Sequence, residues 1–91
     1  MYSDDDVVRR LWASVIVQAL IDATMEPRTS SDRVVKDQAH AWFSVEAGVT
    51  ADNFDAVCLA AGMNPATVRL FYKRYDGPPL TNRALTRLRD M

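Results

Sequence analysis

The stretch Asn53–Tyr75, NFDAVCLAAGMNPATVRLFYKRY, decides how this chain is read, because a helix stop and a helix start meet inside it. Gly62, with no Cβ, suits the left-handed conformation that a helix C′ position asks for. Asn64 can cap the next helix through its side-chain oxygen, and Pro65 at the first helical position gives up an N–H that would have no intrahelical partner. The spacing predicts a helix over 51–61, with Phe54, Val57, Cys58 and Ala61 inward, then a tight turn and a second helix from Pro65 to about Tyr75. On that second helix Val68, Phe71, Tyr72 and Tyr75 share one side, the pattern of a packed face. Arg69, Lys73 and Arg74 flank the other side, with Ala66 and Leu70 between them.

Working outward toward the C-terminus, Asp76, Gly77, Pro78 and Pro79 end the helix, since two successive prolines cannot continue it. Thr81 is placed to cap a last, basic helix over about 81–90, with Leu85 and Leu88 on one side and Arg83, Arg87 and Arg89 near its dipole-favoured end. Toward the N-terminus, Thr50 is the expected cap of the 51–61 helix. Before it, Ser30 or Ser31 caps a helix over 32–47 that Gly48 closes. Its buried face is Val35, Ala39, Trp42 and Phe43, while His40 falls with Arg33, Lys36, Asp37 and Ser44 on the solvated side.

The first helix opens on Ser3 as cap and on Asp4, Asp5 and Asp6, where the dipole favours negative charge, and runs to about Glu26 before Pro27. Val8, Leu11, Trp12, Val15, Ile16, Ala19 and Ala23 form one apolar stripe. A second strip, Ala13, Val17, Leu20 and Ile21, ending in Thr24, occupies much of the opposite side. A helix apolar nearly all round must be covered on both sides. Either the other helices wrap it as a central helix, or a second copy covers it through Val17, Leu20 and Ile21 as a homodimer.

The whole, residues 1–91, is expected to be one all-α domain, a compact bundle of about five helices, and at this length a multidomain enzyme is not expected. Apolar content of 48% with 25% charged residues is that of a globular chain rather than a disordered one. No secretory signal is visible, and the most apolar run, 11–21, is too short to span a bilayer, so the expected setting is cytoplasmic, away from membranes. The single cysteine cannot form an internal disulfide. One histidine and no CxxC make a metal site unexpected, because zinc asks for three or four such ligands. His40 and Cys58 are the only base and thiol available, and Cys58 sits on an apolar face, so neither catalysis nor a cofactor is expected.

The net charge of −1 conceals an asymmetry. Residues 1–50 carry eight acidic and five basic side chains, whereas after Asn64 six basic face two acidic. A basic C-terminal third is what a DNA-facing surface needs, because phosphate neutralisation supplies most non-specific affinity. A pI near 5.7 for the whole chain points the other way.

Around Gly62 the apolar positions follow a further pattern. A small residue, Cys58, stands four before it, Met63 directly after, Val68 six after and Phe71 nine after. On these residues the stretch resembles helix-turn-helix DNA-binding domains, which usually have alanine where this chain has Cys58. The resemblance implies that the helix-turn-helix-like unit, about 51–75, docks on double-stranded DNA. Thr67, Arg69 and Lys73 of the second helix would then approach the groove, and Arg74, Arg83 and Arg87 would hold phosphates. At whole-chain level, LWASVIVQALIDAT, AWF and FDAVCLAAGMNPATVR are similar to small helical proteins of phages and prophages. That similarity implies a phage-type transcriptional regulator, a packaging-associated DNA-binding subunit, or a protein that binds a host factor. Small terminase subunits carry their helix-turn-helix near the N-terminus, the reverse of the order here. A protein-binding adaptor is the alternative class, with Leu70, Leu85 and Leu88, rimmed by arginines, as its contact surface. An oligomerisation module built on the first helix is a third.

Overall fold

The computed structural model describes residues 4–89, with side chains described through residue 85. Five helices follow in order: α1 (Asp4–Thr24), α2 (Ser30–Ser44), α3 (Val49–Ala60), α4 (Pro65–Arg74) and α5 (Asn82–Arg89). There is no strand among the described residues, and the all-α bundle is as the sequence predicts. The expected Ser3 cap lies outside the described residues, as do the side chains of Arg87, Leu88 and Arg89.

α1 is the central helix, packing against α2, α3 and α5, while α4 packs on α3 and α2. Its buried line is not the predicted stripe, however. Ala13, Ile16, Leu20 and Ala23 are buried, whereas Val8, Leu11 and Val15 remain exposed, Leu11 at 59%. On a helix with apolar residues on nearly every side, periodicity alone does not select a face. Leu20, at 6% exposure, belongs to the intramolecular core, and Val17 and Ile21 pack against it. The three residues expected at a dimer interface are therefore largely used inside the chain.

Helix ends differ from expectation where a side-chain hydrogen bond or the backbone conformation of Val45 and Gly48 overrides spacing. α1 stops at Thr24, whose Oγ1 donates to Leu20 O at 2.7 Å and accepts from Leu80 N at 2.9 Å. α2 is capped by Thr29, not by Ser30 or Ser31, through Oγ1 accepting from Asp32 N at 3.0 Å. It ends at Ser44, before the predicted Gly48, where Val45 turns extended while its N–H still reaches Ala41 O. Gly48 instead starts α3: at φ +90 it occupies the N-cap position, and its carbonyl accepts from Asp52 N at 3.0 Å. Thr50 is thus inside the helix rather than its cap.

The core gathers Ile16 and Leu20 of α1, Phe43 of α2, Phe54, Val57 and Cys58 of α3, and Leu80 and Leu85 of the C-terminal part. Trp42, Phe43, Phe54 and Tyr72 form an aromatic cluster. Phe43 lies edge-on to Phe54 and stacks on Tyr72 with centroids 4.5 Å apart. Leu85 is 5% exposed, so it packs α5 onto the bundle and is not available as a partner contact.

Candidate nucleic-acid interface

The α3–α4 unit is built by the turn that the sequence announces. Gly62 has φ +74, Met63 N donates to Cys58 O at 2.8 Å, and Gly62 N donates to Leu59 O at 3.0 Å. These are the paired bonds of a Schellman C-cap, which satisfies carbonyls that the end of α3 would leave orphaned. Asn64 Oδ1 then accepts from Ala66 N at 2.9 Å and Thr67 N at 3.3 Å, with Pro65 at the first helical position. On α3, Phe54, Val57, Cys58 and Ala61 are all buried, as the spacing predicts. Burial raises the Cys58 thiol to about 11, more than the Arg69 charge lowers it. A neutral, enclosed thiol of this kind packs as a small apolar group and is a poor nucleophile.

α4 sits rotated from the predicted wheel. Arg69, expected on the outer face, turns inward with its side chain 22% exposed. Its Nη1 lies 2.9 Å from Asp55 Oδ1 on α3, and its guanidinium carbon stands 4.4 Å from the centroid of the Phe54 ring. Phe71, expected inside, is 36% exposed. The exchange is physically sensible, because a long arginine stem covers apolar surface while its planar head stacks on an aromatic face and pairs with a carboxylate. Val68, Tyr72 and Tyr75 remain packed against the core as expected. Tyr75 also donates from its hydroxyl to Pro78 O, bracing the link that leaves α4.

Of the other residues predicted to meet DNA, Thr67, Lys73 and Arg74 lie exposed on α4, and Arg83 lies exposed on α5. Neither Lys73 nor Arg74 makes an ion pair among the described residues. Arg83 is on a helix that packs against α1, whereas α4 packs on α2 and α3. Arg87 is outside the described side chains, and so is Leu88 of the alternative partner surface; Leu70 of that surface is 44% exposed.

Beside α4 runs a groove of about 880 Å³, between α2, α4 and the 75–77 link. Lys36, Arg69 and Lys73 line it together with Glu46 and Asp76, so it has no uniform charge. His40, expected to be solvated only, is exposed but also ties the two helices together. Its Nδ1 lies 2.6 Å from the Tyr72 hydroxyl and its Nε2 lies 3.4 Å from Ser44 Oγ. Burial raises the Tyr72 phenol above its ordinary value, so Tyr72 keeps its proton across the neutral range. This cross-helix contact has no sequence signal, because the two residues lie on different helices and neither has a motif around it. Among the described residues no group of three His, Cys, Asp or Glu is placed to hold a metal, and no helix is long and apolar enough to cross a membrane. No protein-family model, curated protein or solved structure matches this chain.

Proposed function

We propose that this protein is a non-enzymatic, helix-turn-helix DNA-binding protein that lays the outer face of α4 in the major groove, a regulator of the phage type. What carries this reading is the α3–turn–α4 unit, capped on both sides of its turn, with Thr67, Leu70 and Arg74 along one exposed line and Lys73 beside it. In that arrangement Lys73 and Arg74 neutralise phosphates. Thr67 offers a hydroxyl to a base edge, and Leu70 meets a thymine methyl. The test is binding of the purified protein to labelled random-sequence duplex over a salt series from about 50 to 200 mM, where several phosphate contacts change affinity by orders of magnitude. Arg74→Ala and Lys73→Ala are expected to weaken binding on all duplexes and to flatten the salt slope by about one contact each. No binding at the lowest salt overturns the proposal.

A second reading, a protein-binding adaptor, draws on the exposure of Leu70 and Phe71 side by side on α4. Apolar side chains ringed by cations make a centre-and-rim surface for a protein. Leu70→Asp separates the two readings: loss of a co-purifying partner, in a protein that never binds DNA, supports the adaptor.

A further inference from the structure

We infer that Arg69 is a positioning residue of the proposed DNA-binding unit, a clamp between α3 and α4 rather than a reader of bases. This inference rests on the DNA-binding reading for its functional part. Two α3 side chains one position apart hold one α4 side chain: Asp55 Oδ1 pairs its charge with Nη1 at 2.9 Å, an ion pair rather than an aligned hydrogen bond, and Phe54 lies under the guanidinium at 4.4 Å. Phe54 is fully buried, so it is a fixed platform rather than a mobile surface ring. Arg69 Nε and Nη2 are themselves buried and without an acceptor, which places that edge of the guanidinium against protein, although the side chain also borders the groove between α2 and α4. A charge held this way is committed inside the unit. Its contribution is the rotation of α4 that brings Arg69 inward and leaves Phe71 partly exposed, where the apolar pattern alone would bury Phe71; Thr67, Leu70 and Arg74 stay on the exposed side.

The clamp is tested with Arg69→Met, which keeps an apolar stem over Phe54, with Asp55→Asn, and with the swap of Asp55→Arg and Arg69→Asp. Backbone amide spectra of the free protein are expected to show the same set of α4 signals displaced in both single variants and restored in the swap. On random duplex, Asp55→Asn and Arg69→Met are both expected to weaken binding by up to about fivefold, the scale of losing one partly exposed ion pair. The salt slope is expected to stay unchanged, because no phosphate contact has been removed. A DNA-contacting Arg69 gives the opposite pattern: Asp55→Asn frees the guanidinium and holds or raises affinity, while Arg69→Met relaxes the preference among defined duplexes if Arg69 reads a base, or lowers the salt slope by about one if it holds a phosphate. That pattern overturns the inference, as does an α4 whose amide signals ignore both changes. If the parent protein binds no duplex at all, the DNA-binding reading fails while the clamp itself is still decided by the spectra.

Discussion

Cys58 is placed by its neighbours in the chain: it stands four residues from Phe54 and three from Ala61, on the inner line of α3, and the structure buries it completely. Its thiol is held near 11 against an ordinary value of 9.0, so the native protein retains a proton that the unfolded chain loses. Stability is therefore fully present below pH 9 and declines above it, by about 2 kcal/mol on reaching pH 11. Urea unfolding of the parent and of Cys58→Ala at pH 8 and pH 10 checks this, the difference between them narrowing at the higher pH. Thiol labelling at pH 8 is expected to proceed at the rate of opening rather than at that of a free cysteine. Arg69 could not be placed by spacing, because nothing local says that an arginine will displace a phenylalanine from the inner side. The pairing with Asp55 and Phe54 exists only once α3 and α4 are folded against each other.

At the scale of elements, the caps decide where helices stop and what they hold. The Gly62 turn and the Asn64 cap were legible because each is satisfied by residues within a few positions of itself. The ends of α1 and α2 were less so. Thr24 serves as a junction: its hydroxyl donates to Leu20 O and accepts from Leu80 N, tying the segment that leads into α5 to the C-terminal end of α1. Leu80 is itself buried, at 7% exposure. Thr24→Val keeps the shape of the side chain and removes both bonds, leaving the Leu80 N–H without this acceptor. The expected cost is about 1–3 kcal/mol, the range for orphaning one buried donor. Hydrogen exchange is expected to quicken at Leu80 and across α5 before it does so in α3, and uniform quickening across the bundle counts against this local tether.

For the molecule as a whole, the question is which side of α1 the fold consumes. Leu20 is in the core and Leu11 is 59% exposed, although both belong to apolar strips of comparable strength. Leu20→Asp is expected to unfold the protein, since it buries an unpaired charge. Leu11→Asp is expected to change stability by less than about 0.5 kcal/mol, as an exposed substitution does. Thermal melts of the two variants read this directly, and equal losses would mean that α1 is covered on both sides. What the sequence determined by itself was the helical class, the number of helices, the inner line of α3 and the turn into α4. Each of these depends on periods and caps written within one or two helical turns. What only the tertiary structure decided was the buried face of α1, the rotation of α4 and the His40–Tyr72 and Arg69–Asp55 contacts. Those depend on which surfaces meet, and where a helix is apolar on several sides, or where an arginine can bury its stem as readily as a phenylalanine its ring, local pattern leaves several packings equally patterned and only the assembled core selects one.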